Sequence, residues 1–523
     1  MKPFLMGSET EFAVSGSQQG APLSAEVVFR RLLNHVCQQY SWFPDGNGGR
    51  SVYLGNGGRL YLDWNGHPEY ATPECHTPTE VACYDKVAER LLLAARQADP
   101  DVELTVLKTN LDPVHPDDVT WGTHESYTCW APVLHAASAL IPHLVSRIVY
   151  AGAGCLSIHP ASGGFELSQR ARHLVRAIGT ETVRDRAIFC HRLRKAADSG
   201  AGGWTRLHLI SKDSQRAPFG TYLTFGTTGL LVLLLNAGRK IGAGLELADP
   251  VRAIRTISCD PWLRRARVPL RDGRRLTALE IQSCYLEECE REVYQGSFPV
   301  WASELLRHWR ETLAALTRDP LGLADRLDAY CKLRLYERAL RRTGYGWNDL
   351  HAALGDLAAL RQHYPARVVQ AVLQGGADPM DAEFVAQHAE AAIVIGADQP
   401  GGLERLRMAS RMLALDVHYH ELGGLYDRLE AAGQIRHVVL TEQDIERAIQ
   451  EAPTGGRAAL RGKWIQSHLR HGWVSDWRYL YHVPTGELVD LRDPFSGEAK
   501  TIRVSAPGDS SDPEVAEITS RWE

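Results

Sequence analysis

Two short segments constrain this chain more than any others: Gly58-Arg59-Leu60-Tyr61-Leu62-Asp63, and Glu9-Thr10-Glu11 near the start. Both predict short strands, because aliphatic, aromatic and β-branched residues alternate with polar ones. Side chains two apart in a strand share a face. Arg59, Tyr61 and Asp63 then point one way and Leu60 and Leu62 the other, while Glu9 and Glu11 share a face. Burying the apolar faces brings the polar ones together in a cleft. Carboxylates, a guanidinium and a phenol there suit magnesium, which takes hard oxygen ligands and keeps company with phosphates. They also suit a phosphorylated ligand, which arginine grips through its planar fork.

The surroundings predict a hairpin. Gly46-Asn47-Gly48-Gly49-Arg50 is echoed by Gly55-Asn56-Gly57-Gly58-Arg59, and the echo brackets Ser51-Val52-Tyr53-Leu54. Turn, strand, turn, strand follows, with Asp63 on the second arm. No Gly-Lys-Ser/Thr follows these glycines, so they make turns and not a phosphate loop. A helix is expected over 24–40, capped by Ser24, with Val27, Val28, Leu32 and Val36 as its apolar stripe. His67 to Glu74 holds two prolines and is expected to be extended or at a sheet edge. Strands are expected at 104–110, from His124, and at 206–210, where Arg206 and His208 share a face. Helices are expected at 78–98, 140–151, 168–178, 301–316 and 323–342, and over 352–411 with two glycine-proline breaks. Beyond Gly424, helices at 442–451 and 456–471 and strands near 477–483 are expected, with a weakly structured tail from 506.

With 523 residues, the chain is long enough for a large catalytic domain plus a smaller one. Its 58 basic against 63 acidic side chains leave a formal charge of −5, which gives no footing for general nucleic-acid binding. The start of the chain has no apolar signal core, and the run Gly229–Leu235 is expected to be a buried core helix, not a membrane span. Ten scattered cysteines without a Cys-x-x-Cys pair fit reduced thiols in a cytoplasm. His418-Tyr419-His420-Glu421, at a helix end, is taken as packing or capping and not as a metal pair.

The segments 6–12, 56–63, 67–75, 122–127, 167–171, 206–208, 249–254, 424–429 and 457–462, with Trp477, follow one another in an order that resembles the family of the Pup ligase and the depupylase (Pup deamidase). The resemblance implies an α+β chain: a glutamine-synthetase-like antiparallel sheet cradle with packed helices, then a small C-terminal α/β domain. It implies a catalytic domain over 1–423 with a helical insertion near 355–411, a C-terminal domain over 424–505, and the tail 506–523. Glu9, Tyr61 and Glu69 match the family's magnesium positions. Arg59, Thr72 and Trp477 match its nucleotide contacts, and Asp63 matches its essential aspartate. Strand face and charge add Glu11, His124 and His208 to the metal set and Arg206 to the nucleotide set. The implied cofactors are ATP, or ADP with phosphate, and Mg2+. The implied partners are Pup or a Pup-like tag and tagged proteins, with no nucleic acid and no membrane.

Within that family, Cys75, Tyr84-Asp85-Lys86, Arg274 to Leu279 and Lys332 to Leu335 look like the depupylase branch. The interval from Phe12 to Val52 has room for one helix and a turn, as in the ligase, and not for the long depupylase loop. Ser126 stands at the family's Asn position, and Ser211-Lys212-Asp213-Ser214-Gln215 replaces its Gly-Asp-Ser-Asn. The expectation is an ATP- and magnesium-dependent, depupylase-like hydrolase of a side-chain amide. The alternatives are a ligase joining a glutamate carboxylate to lysine, an ATPase or phosphatase that lost the tag, and an idle nucleotide-binding module.

Overall fold

The computed structural model describes residues 2–45, 50–112, 119–190, 203–296, 298–364, 369–370, 373, 401–468, 471–505, 508 and 510–521. Among them the largest sheet has seven strands: β1 (Met6–Glu11), β2 (Trp42–Pro44), β3 (Ser51–Leu54), β4 (Arg59–Leu62), β5 (Pro68–Ala71), β6 (Thr123–Cys129) and β7 (Thr205–Lys212). Their order is β7-β6-β1-β5-β4-β3-β2, antiparallel throughout. The expected hairpin is there, with Tyr53 opposite Arg59. Its first glycine turn lies outside the described residues except for Arg50.

Register decides what each face carries, because directly opposed residues share a face. Glu11 stands opposite Glu69, and Glu69 opposite Tyr61. Glu9 stands opposite His124 and Ala71, and Ala71 opposite Arg59. His208 faces Ser126 and Arg206 faces Thr128. One face of the sheet therefore presents Glu9, Glu11, Arg59, Tyr61, Glu69, His124, Arg206 and His208. The other face sends Thr10, Leu60, Tyr70, Tyr127, Leu207 and Leu209 into the core.

Helices cover that second face. α1 (Ala25–Gln39) is capped by Ser24, whose side chain accepts from Val27 N, and buries Val28, Phe29, Leu32, Leu33 and Val36. α2 (Pro78–Gln97) packs against β1 and against α3 (Pro218–Asn236). α3 is long and apolar enough to cross a membrane, but its most apolar 18-residue window is 100% buried inside the protein. It is the core helix expected around Gly229–Leu235. α4 (Ala278–Gln295) and α5 (Val300–Arg318) form a further layer on α3. Helices α6 (Trp347–His363) and α7 (Gly402–His420) flank the region read as an insertion, most of which lies outside the described residues. Near the C-terminus, α8 (Gly456–Ser467) adjoins a four-stranded sheet of β8 (Trp473–Ser475), β9 (Tyr479–His482), β10 (Glu487–Asp490) and β11 (Lys500–Arg503).

Two expectations need correction and two are refined. Of the two options for His67 to Glu74 the extended one holds: Pro68 opens an interior strand, between β1 and β4, where a first strand residue tolerates the missing N–H. The helix expected over 168–178 is a 3-10 turn at Ala171–His173 followed by a strand at Arg176–Gly179. There the Asp213 carboxylate accepts from the backbone N–H of Gln169 at 2.9 Å and of Arg170 at 3.2 Å, and beyond the turn Arg176–Gly179 pairs with Ala187–Cys190, which commits the chain to a strand. The tail read as weakly structured carries a helix, α9 (Pro513–Arg521), which buries Val515 and Ile518 against Tyr479, Tyr481, Leu488 and Val504. Finally, β4 stops at Leu62, so Asp63 stands one residue past the strand end, where its carboxylate still reaches Glu11 on the polar face.

Candidate active site

The polar face of the sheet borders a cavity of about 340 Å³, within the range of small-ligand sites. Glu9, Arg59, Tyr61, Thr72 and Arg206 line it from the sheet side, and Arg457, Trp477 and Arg478 from the C-terminal segment. Every residue expected to contact a nucleotide is thus on its wall. Arg59 donates to Asp45 Oδ2 at 2.6 Å and to Ser51 Oγ at 2.8 Å, and lies over the Tyr61 ring at 4.3 Å. Thr72 Oγ1 accepts from Ser8 N at 3.0 Å, which fixes its hydroxyl at the cavity edge. Trp477 stands edge-on to Tyr53 with ring centres 5.3 Å apart, and the Arg461 guanidinium sits 4.8 Å above its indole.

From the cavity a row of acids and histidines runs along the sheet. Potential ligand atoms of Glu9, His124 and His208 lie within 4.8 Å of one another, as do those of Glu11, Glu69 and His124, and those of Glu11, Asp63 and His67. The sets share His124 and Glu11, so they form one continuous strip ending at Asp63. Arg206 Nη1 donates to Glu9 Oε1 at 3.0 Å, and His124 Nδ1 lies 3.4 Å from Glu9 Oε2. Gly122 N donates to Glu11 Oε2 at 2.6 Å.

The charges are unbalanced in an informative way. Burial pushes the Glu9 carboxyl up, but Arg206, the His124 hydrogen bond and the His208 and His124 charges outweigh it and hold it well below its ordinary value. Glu69 goes the other way: burial, then the Glu9 and Glu11 charges, lift it well above the usual carboxylate range. Tyr61, hydrogen-bonded to Glu69, is raised by burial and by the Glu69 and Glu9 charges. Glu11 and Glu69 share a buried patch with His124, and Glu9, paired with Arg206, adjoins it through His124. That donor set fits a hard divalent cation, which Glu9, Glu11 and Glu69 could hold. The nitrogen atoms of His124 and His208 suit magnesium less well than softer metals. His124 instead contacts Glu9, and its ring stands 4.8 Å from that of His208.

Asp63 occupies the far end of this strip. Its Oδ1 accepts from Asn65 N at 2.9 Å and His67 N at 2.6 Å, and Oδ2 lies 3.5 Å from His67 Nδ1. Burial raises its pKa, but these His67 and Asn65 hydrogen bonds and the His67 charge more than offset that and leave it below the usual value. Its side chain retains 9% exposure, so it is not sealed from solvent. An ionised carboxylate one step from Glu11 can take a proton from, or assist attack at, a group held beside them.

Sequence reasoning passed over the residues that dock the C-terminal segment on this site. Glu74 Oε1 accepts from Arg457 Nε, Glu74 Oε2 lies 3.3 Å from Arg461 Nη1, and Arg461 Nη2 donates to the Trp477 carbonyl at 3.0 Å. The signal available was two arginines four apart on one helix face. The His418-to-Glu421 run behaves as expected. His420 is buried with Nδ1 2.7 Å from the Lys108 carbonyl, and His418 pairs with Glu421 at 2.7 Å.

A family profile described as Pup-ligase protein matches residues 4–376 and 402–481. The chain belongs to the Pup ligase family. The stretch the profile skips, 377–401, falls inside the region read from sequence as an insertion. Among relatives, a Pup–protein ligase of Acidimicrobium ferrooxidans is 31% identical over 517 residues, covering 95% of this chain and 97% of that protein. A Pup deamidase/depupylase of Mycolicibacterium smegmatis is 32% identical over 430 residues, covering 80% and 72%. Among solved structures, the complex of Pup with its ligase PafA matches with a TM-score of 0.71 at 23% identity, covering 99% of this chain and 92% of that one. PafA in complex with ADP matches with a TM-score of 0.62 at 23% identity, covering 96% and 94%. The glutamine-synthetase-like α+β fold expected of the Pup ligase family is therefore the fold of this chain.

Proposed function

We propose that this chain is an ATP- and magnesium-dependent, depupylase-like hydrolase that cleaves a side-chain amide or isopeptide bond between Pup, or a Pup-like tag, and a lysine. The observation that carries this reading is the strip of carboxylates from β1 and β5 that joins the cavity of about 340 Å³ to Asp63. In this reading Glu9, Glu11 and Glu69, with Tyr61 behind Glu69, hold the metal. Bound there, magnesium supplies positive charge against the terminal phosphates of the nucleotide. Arg59 and Arg206 orient those phosphates, and Thr72 and Trp477 hold the rest of the nucleotide. Asp63 assists attack on the amide carbonyl; water is added across the bond, leaving a carboxylate on the tag and an amine on the target. None of the ten cysteines is in a disulfide, which agrees with work in a reducing cytoplasm.

A second reading, a ligase that joins a tag glutamate to lysine through an acyl phosphate, has its own support. The match to a Pup–protein ligase spans 97% of that protein, against 72% for the depupylase. Between Phe12 and Val52 the described residues hold α1 and short strands. In the ligase direction Asp63 takes the proton from the attacking lysine.

One incubation separates these readings. A Pup-tagged protein, free Pup and an untagged target are each offered with ATP and magnesium. Tag release is the expected result. Tag attachment without release replaces the first reading by the second. Phosphate release alone, or no turnover at all, overturns both.

A further inference from the structure

Directly after Asp63 stands Trp64, whose side chain is 104% exposed. An indole is among the largest apolar surfaces a chain owns, and leaving one wholly in water is unusual for a folded protein. Trp64 is also the most exposed of the large apolar residues described. Nothing about its backbone is loose. The turn that carries it is tied by Asn65 N and His67 N to the Asp63 carboxylate, by Asp63 N to the His67 carbonyl at 2.9 Å, and by Gly66 at φ 87°, a left-handed position that suits glycine. His67 in turn stacks on buried Trp121, with ring centres 4.9 Å apart. The fold thus holds the turn firmly and offers the indole bare to solvent, beside the one carboxylate at the outer end of the acidic strip.

Position says what it meets. The cavity assigned to nucleotide lies at the Glu9 end of the strip, and Asp63 at the opposite end. A tag carboxyl group bound between them leaves the lysine side of the linkage to reach Asp63 from outside, past Trp64. A rigid aromatic anchor at a mouth of this kind matches how tryptophan serves protein interfaces. We infer that Trp64 is a specificity-determining contact for the target protein, packing on the aliphatic stem of the linked lysine and the residues around it, and not for the tag. This inference rests on the amide-cleaving reading above.

The test uses two substrates of the whole enzyme: a lysine-linked tag–protein conjugate, and a tag ending in glutamine, whose side-chain amide carries no target protein. Trp64→Ala is expected to lower kcat/KM on the conjugate about tenfold, mainly through KM, as truncation of an interface anchor does. Deamidation of the glutamine-ended tag, ADP affinity and Tm should stay at wild-type values, because Trp64 is fully exposed. Trp64→Phe should restore most of the loss. Equal loss on both substrates, or no loss on the conjugate, overturns the inference while leaving the amide-cleaving reading in place. A wild-type enzyme that turns over neither substrate overturns that reading and the inference with it.

Discussion

Glu69 is the residue at which the metal hypothesis becomes a number of protons. Burial and the neighbouring Glu9 and Glu11 charges raise its pKa well above the ordinary value, so its carboxyl holds a proton to higher pH than a free glutamate does. A divalent cation competes with that proton, so binding should release protons and tighten as pH rises through the titration of this group. Calorimetry of magnesium–ADP binding over a series of pH values, in buffers of different ionisation enthalpy, measures the release, and Glu69→Gln should diminish it. At this scale the sequence was legible where alternation alone decides a face: Arg59 and Tyr61 share one, as do Glu9 and Glu11. It extended the strand by one residue to Asp63, whose carboxylate nonetheless reaches Glu11 on the face that alternation assigns. It could not reveal that Glu69 faces Glu11, since that register is set between strands almost sixty positions apart.

At the scale of elements, Glu74 joins the loop after β5 to α8. Burial raises its pKa, but Arg461 and Arg457 overcome this and bring it down to about 2, from an ordinary 4.5. The sign follows from the lowered value: the unfolded chain binds this proton more readily, so the contribution is full above pH 4.5 and is lost as pH falls towards 2. Glu74→Gln leaves two guanidinium groups short of their partner. It should cost about 3–5 kcal/mol, the range for breaking a buried pair. Acid titration of Tm should show the wild type losing its advantage over the variant between pH 4.5 and 2, and nucleotide affinity should fall because Trp477 and Arg478 are held through this clamp. The helices with clear apolar stripes, such as α1, α2 and α5, were readable in advance. The segment 168–178 was not, because its second half is held as a strand by pairing with Ala187–Cys190, a partner its own residues do not signal. Likewise α9 is ordered by Tyr479 and Leu488 and not by its own short stripe.

Across the whole molecule, one antiparallel sheet does two jobs. Its apolar face closes on α2 and α3, and its polar face carries an acidic strip from a nucleotide-sized cavity to a single aspartate. The motifs anticipated this division and the family to which the chain belongs. They did not show how the C-terminal segment completes the cavity wall, because Arg457, Trp477 and Arg478 reach it only through tertiary docking on Glu74. Chemistry in either direction rests on Asp63, which the cavity wall does not include. The most direct test is therefore Asp63→Asn, with magnesium–ADP affinity and tag turnover measured on the same preparation. The account predicts wild-type affinity with turnover abolished; an Asp63→Asn enzyme that releases or attaches the tag at the wild-type rate would contradict it.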